Sequence, residues 1–242
     1  MQKQFDFPAG EVLLIDKPLT WSSFDAVKYI RGYLRRGKVK AKIGHAGTLD
    51  PLATGLLILC TGKMTKKISF IQETEKEYTG TLKLGETTPS YDAEQEPDAF
   101  FPTEHITEEA IKEATKSFSG WIKQQVPIFS AVKQDGKRLF KLARQGKVVE
   151  PKTRIIEVVE FEITKVEMPF VDFRVRCSKG TYIRSLAHDL GKLLNSGAHL
   201  TALRRTKIGD HSVEDAWDIK ELGAVVKAFV DGQKTESENA DT

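Results

Sequence analysis

Gly44-His45-Ala46-Gly47-Thr48-Leu49-Asp50-Pro51-Leu52-Ala53-Thr54-Gly55 is the stretch on which the reading of this chain turns. Four small residues, Gly44, Ala46, Gly47 and Ala53, flank one histidine and one aspartate. Small residues let a ligand approach the backbone, and glycine accepts the positive φ that a tight turn needs. Asp-Pro favours the start of such a turn. Directly after it, Leu56-Leu57-Ile58-Leu59-Cys60 is an apolar run closed by Thr61-Gly62, the pattern of a buried strand.

Upstream, Glu11 to Ile15 reads as a short buried strand that ends at Asp16-Lys17-Pro18, because proline cannot donate to a ladder. Ser22 followed by Asp25 resembles a capping box, and Phe24, Val27, Ile30 and Leu34 recur at helical spacing up to a stop at Gly37. Downstream, Tyr78, Gly80, Leu82 and Leu84 share one face of an alternating strand. Residues 86–105 hold three prolines and no periodicity, so they read as an acidic exposed loop. A helix follows over 107–118, with Ile111, Ala114 and Phe118 on one face. Residues 155–164 and 170–177 form the clearest strand pair, and Val171, Phe173, Val175 and Cys177 alternate with polar residues. The spacing then predicts a helix over 182–194 (Ile183, Leu186, Leu190 and Leu193 inward), a strand over 200–208 and a last helix over 218–230. Strands and helices do not alternate strictly, so the expected class is α+β. Residues 1–230 read as one catalytic domain, and residues 231–242 as a polar, disordered tail.

The net charge of +3 conceals an asymmetry. Residues 86–109 carry eight acids and no lysine or arginine, whereas residues 28–42 carry seven basic side chains and no acid. A cationic body suits a polyanionic partner. The two cysteines, Cys60 and Cys177, lie in apolar runs and read as reduced core residues. No stretch approaches 18 apolar residues and no signal core opens the chain, so a cytoplasmic protein is expected.

Familiar cofactor motifs fail in turn. Gly62-Lys63 lacks the earlier glycine of a phosphate-binding loop, since Leu57 stands there, and Met64 replaces its hydroxyl residue. The five histidines have no metal-ligand spacing, and no nucleophile-elbow sequence is present. Neither metal nor cofactor is therefore expected, and the reaction should be one that side chains run alone.

The run from Gly44 to Gly55 resembles the active-site motif of the TruB family, the tRNA pseudouridine-55 synthases. The family's aspartate falls on Asp50 and its histidine on His45. Further segments match in order. Asp16-Lys17-Pro18-Leu19-Thr20-Trp21-Ser22-Ser23 is similar to its N-terminal Lys-Pro motif, with Leu-Thr-Trp where Gly-Leu or Gly-Trp is common. Thr61 to Lys66, Lys76-Glu77-Tyr78 with Leu84-Gly85, Ser178 to Leu186, and Ala202 to Thr206 match the rest. Pro127 to Gly146 also resembles the family, with Val126 where a second proline is usual. The resemblance covers roughly residues 10–215. Only 37 residues follow Arg205, so the family's C-terminal RNA-binding PUA module is not expected.

This resemblance implies an α+β pseudouridine synthase fold, a mixed, mainly antiparallel sheet flanked by helices around a basic cleft. It implies a substrate, the uridine at position 55 in the T-loop of tRNA, and a T-arm stem-loop as partner. No membrane and no obligatory protein partner are implied, and the expected state is a monomer. Pseudouridylation breaks the N1–C1′ bond, turns the base and rejoins it through C5, an isomerisation that needs no redox agent. A carboxylate nucleophile divides that into two easier steps, attacking either sugar or base, and Asp50 takes the role by resemblance. Arg184 is implied as its supporting ion pair. Tyr78, Tyr182 and Leu203 are implied as the wall for a flipped pyrimidine, and His45 as a support for the opened loop. The rivals are an RNA binder without catalysis, a synthase acting on a different RNA, and a cofactor-dependent RNA methyltransferase. An intact Asp50, Tyr78 and Arg184 argue against the first, and the missing glycine-rich nucleotide loop against the last.

Overall fold

The computed structural model describes residues 5–130, 132–134, 136–139, 145 and 152–240, so part of the Pro127–Gly146 segment lies outside the described residues. In chain order the main elements are β1 (Val12–Lys17), α1 (Ser23–Arg36), β2 (Ile43–His45), β3 (Ala53–Thr61), α2 (Ile68–Glu73), β4 (Lys76–Leu84), α3 (Glu108–Lys116), β5 (Gly120–Gln125), β6 (Thr153–Glu167), β7 (Phe170–Cys177), α4 (Ile183–Leu193), β8 (Ala198–Ile208), β9 (Trp217–Asp218) and α5 (Ile219–Ala240). The sheet pairing is mixed and the class is α+β, as the sequence implied. The stretch read as one catalytic domain divides into two compact units. The first comprises residues 1–74 with 204–242, and the second residues 75–203.

In the first unit β1 pairs antiparallel with β3, from Val12 opposite Cys60 to Lys17 opposite Gly55. Strand β2 also lies antiparallel on β3, with His45 opposite Leu59, and β9 lies parallel to β1. Ala46, Leu56, Ile58, Cys60, Ile71, Ile208 and Val213 form an apolar cluster beneath these strands. Helix α1 begins with the expected capping box: the Ser22 hydroxyl accepts from the Asp25 N–H, and the Asp25 carboxylate accepts from the Ser22 N–H. Ala26, Val27, Ile30 and Leu34 are buried as the periodicity requires. Phe24 is a correction. It is 49% exposed, with Lys28 and Arg31 over its ring, because Ser23 takes the interior position on that turn.

In the second unit β4, β7, β6 and β5 are neighbours in that order, all antiparallel. Val171, Phe173, Val175 and Cys177 are buried on one face of β7, opposite the strand bearing Tyr78 and Leu82, and both cysteines are free and buried. Two further differences stand out. Residues 86–105, expected as an exposed loop, begin with buried Glu86, Thr88, Ser90 and Asp92, which fold inward around a hydrogen-bonded turn. Leu193, expected inward on α4, is 49% exposed at the last turn of that helix. Helix α5 runs to Ala240 rather than stopping near 230, since Gln233, Lys234, Glu236, Glu238 and Ala240 continue it with good helix formers.

Candidate active site

Asp50 sits in the first unit on the turn between β2 and β3. Backbone bonds fix that turn at both ends: Ala46 N–H donates to Ile58 C=O at 2.8 Å, and Ala53 N–H donates to Asp50 C=O at 3.1 Å. Ser23, at the start of α1, clamps its middle. The Leu49 N–H donates to the Ser23 hydroxyl oxygen at 2.8 Å, and that hydroxyl faces the Leu49 carbonyl at 3.0 Å. Thr20 N–H donates to Pro51 C=O at 2.8 Å. The glycines at the ends of the quoted run have a steric reason. Gly55 has φ +99°, and a Cβ there would lie 2.3 Å from the Arg205 carbonyl oxygen. Asp50 itself is half-buried.

Two buried cations stand behind this turn, and both bond main-chain oxygens. The Lys17 ammonium, fully enclosed, donates to the Trp21 carbonyl at 2.6 Å and the Pro18 carbonyl at 2.9 Å, and reaches the Pro51 carbonyl at 3.5 Å. Burial lowers its pKa to about 8, with the negative charge of Asp50 opposing that fall. Arg205 is 1% exposed. Its Nε donates to the Leu56 carbonyl at 2.7 Å and one terminal nitrogen to the Gly47 carbonyl at 3.2 Å. Beside them Arg204 makes a two-pronged pair with Asp16, at 3.0 and 2.6 Å. Burial, with the Arg205 charge, lowers the pKa of His45 and so favours its neutral imidazole.

The remaining candidates belong to the second unit. Tyr78 is buried on β4 with Val175 as its register partner. Tyr182 precedes α4, where Gln124 clamps its backbone: Tyr182 N–H donates to Gln124 Oε1 at 2.8 Å, and Gln124 Nε2 donates to Tyr182 C=O at 3.0 Å. The Arg154 guanidinium lies 5.0 Å from the Tyr182 ring centre and donates to Gly180 C=O at 3.0 Å. Arg184 is 5% exposed. Its terminal nitrogens donate to the Ser90 carbonyl at 2.9 Å and the Phe129 carbonyl at 3.0 Å, with Asp92 Oδ2 at 3.5 Å. Leu203 is half-buried on β8.

Thus His45 and Asp50 lie on one short segment of the first unit, and Tyr182 and Arg184 lie at the head of one helix of the second. The supporting roles of Lys17, Arg205, Gln124, Ser90 and Asp92 were missed. Lys17 and Arg205 lay within quoted motifs, and their burial was the missing cue. Gln124 and Asp92 had no local signal, because their partners are 58 and 92 residues away in the chain. Among the described residues, no group of three or more His, Cys, Asp or Glu could hold a metal ion. The chemistry on offer is a carboxylate on a rigid turn backed by buried positive charge.

Family models match most of the chain. Residues 35–183 match the N-terminal domain of the TruB family pseudouridylate synthases, and residues 184–238 match the C-terminal domain of tRNA pseudouridylate synthase B. Fold and site therefore define an enzyme of the pseudouridine synthase class. The chain belongs to the TruB family and is a tRNA pseudouridine synthase. It is 61% identical over 218 residues to tRNA pseudouridine synthase B of Flavobacterium johnsoniae, which covers 88% of this chain and 95% of that one. It is 54% identical over 219 residues to the protein of the same name from Parabacteroides distasonis, with 90% and 93% covered. Among solved structures it is similar to a chain of a Cbf5-Nop10-Gar1 complex, with TM-score 0.67 and 29% identity. That match covers 90% of this chain, which spans about half the length of the solved one (54%).

Proposed function

We propose that this enzyme isomerises uridine 55 in the T-loop of tRNA, with Asp50 as nucleophile. The observation that carries the reading is the setting of Asp50: a half-buried carboxylate on a turn locked by Ser23, Thr20 and its own backbone, with the Lys17 ammonium buried behind it. Preorganised charge of this kind does not have to reorganise during the reaction.

The target base leaves the stack and enters between Tyr78, Tyr182 and Leu203. Tyr182 is pre-set for this by the Gln124 clamp on its backbone. His45, held neutral, fills space beside the opened loop. Asp50 attacks sugar or base, the N1–C1′ bond breaks, and the base turns. C5 then bonds to C1′, the bond to Asp50 breaks and returns its carboxylate, and the C5 proton is lost as N1 gains one, so atoms and charge balance without a co-reactant. Arg184 is the cation that keeps the nucleophile ionised as a phosphate-rich substrate arrives. An isolated T-arm stem-loop is a sufficient substrate, and the enzyme works as a monomer. No helix among the described residues is long and apolar enough to cross a membrane, and the setting we propose is the cytoplasm.

The test is Asp50→Asn under single-turnover conditions with unmodified tRNA, pseudouridine being mapped chemically. The amide is nearly isosteric but not nucleophilic, so turnover should vanish while tRNA affinity stays within about tenfold. Retained turnover removes Asp50 from the role. Product at a position other than the T-loop uridine removes the proposed substrate site.

A further inference from the structure

The turn that receives Arg184 is built in an unusual way. Ser90 offers its carbonyl and Asp92 its carboxylate to the same guanidinium, and Tyr91 stands between them with φ +64°. A bulky residue in the left-handed region is uncommon and costs energy that the surroundings must return. Here that conformation reverses the chain, so that the groups before and after Tyr91 can both face Arg184. The turn is fully braced. Tyr91 N–H donates to Thr88 C=O at 3.1 Å, and Leu200 N–H donates to Tyr91 C=O at 3.0 Å. The Ser90 hydroxyl donates to Asp92 Oδ1 at 2.6 Å and the Glu94 N–H to the same oxygen at 3.0 Å.

The Tyr91 side chain lies flat on the ring of His188, with centroids 3.8 Å apart and planes 13° apart. His188 is four residues beyond Arg184 on α4, and residues so spaced share a helix face. One helix therefore carries both the cation and the ring on which its receiving turn rests. His188 is more than nine-tenths buried.

We propose that Tyr91 and His188 are a positioning pair, whose stacked rings lock the Ser90–Asp92 turn in register with Arg184. This rests on the reading above that Arg184 supports the chemical step. Without the stack, the turn would be free to leave its left-handed conformation and Arg184 would lose two of its oxygens together. The pair touches no reacting atom, so its loss should slow the chemistry and spare binding.

The experiment measures the single-turnover rate, the dissociation constant for tRNA and the melting temperature of Tyr91→Gly, Tyr91→Phe, His188→Ala and Arg184→Met. Tyr91→Gly accepts the same φ without strain, so the fold should survive while the stack is lost. Its rate should fall about tenfold or more, with affinity within about threefold. Tyr91→Phe keeps the ring and should recover most of that loss. Combining Tyr91→Gly with His188→Ala should be no slower than the worse single variant, as expected of residues acting through one contact. A slow Arg184→Met with a wild-type rate in Tyr91→Gly would overturn the pair and leave the role of Arg184 standing. So would a Tyr91→Phe as slow as Tyr91→Gly, or an affinity loss equal to the rate loss. A wild-type rate in Arg184→Met would overturn both the pair and the reading on which it rests.

Discussion

Each of the two units buries a cation, and they treat it differently. Lys17, in the first, is wrapped in the carbonyls of Pro18, Trp21 and Pro51, and burial has brought its pKa down to about 8. Arg184, in the second, also takes carbonyls, from Ser90 and Phe129, but with the Asp92 carboxylate 3.5 Å away. An ammonium gives up its proton when buried, whereas a guanidinium does not in proteins. The difference separates a charge that can be titrated from one that is permanent. A permanent charge suits the group proposed to support the nucleophile, and a titratable one makes the contribution of Lys17 depend on pH.

The largest expected effect breaks the comparison on the Arg184 side. Arg184→Met should lower the single-turnover rate by about a hundredfold, with a smaller change in affinity for tRNA. Arg184→Lys should recover only part of that, because a point charge cannot satisfy two carbonyls and a carboxylate in fixed directions. Full recovery by lysine would mean that charge alone matters and that the two sides are equivalent.

On the other side, Lys17→Met should slow the chemical step about tenfold, since the Trp21 and Pro51 carbonyls lose their donor and Asp50 a nearby cation. In the unaltered enzyme the rate should decline as pH rises through about 8, where Lys17 loses its charge. The methionine variant should lack that decline. A decline of unchanged size in the variant would assign it to another group.

A contrast of stability follows from His188. Burial, with the Lys192 charge, lowers its pKa to about 4 against an ordinary 6.5, while Asp98 opposes that fall. The folded protein thus refuses a proton that the unfolded chain accepts. Stability is lost as pH falls from about 6.5 towards 4, and the loss levels off below that. Chemical denaturation midpoints across that range should show it, and His188→Phe, which keeps a ring under Tyr91, should flatten the slope. An equal slope in the variant would place the acid sensitivity elsewhere, with His45 the next candidate.

How much of this was legible follows from the range over which each group is held. The Asp50 turn was readable because its glycines, its proline and the strand it feeds are contiguous, and because the capping box of α1 has a spacing rule. The faces of β4 and β7 were readable from strict alternation. Phe24 and Leu193 were misplaced because periodicity gives a face but not which end of it is covered. The acidic stretch hid most. Its prolines and charges predict a loop, and nothing local shows that Ser90 and Asp92 turn inward to meet a guanidinium some ninety residues away. The buried charge of Arg184 is settled by distant partners, and a single sequence does not display them.

The smallest expected effect concerns the one departure that the N-terminal motif announced. Thr20 stands where the related motif commonly has glycine, and its φ is +70°. A β-branched side chain in the left-handed region crowds its own backbone, whereas glycine adopts that region freely. Asn195 is also left-handed, at +52°, but asparagine tolerates this far better. The strain at Thr20 is maintained by its surroundings: its N–H is committed to Pro51 C=O, and the next residue's carbonyl to the Lys17 ammonium. Thr20→Gly should keep both bonds and release the strain, while glycine adds entropy to the unfolded chain. The balance should favour the variant by about 0.5–1 kcal/mol, visible as a rise of roughly 2 °C in melting temperature. Thr20→Val, which keeps the branch and loses only the hydroxyl, should show no such rise. If glycine instead destabilises the protein, the threonine side chain contributes more to the Lys17–Pro51 tie than its strain costs, and the Asp50 turn is held by side chains as well as by main-chain oxygens.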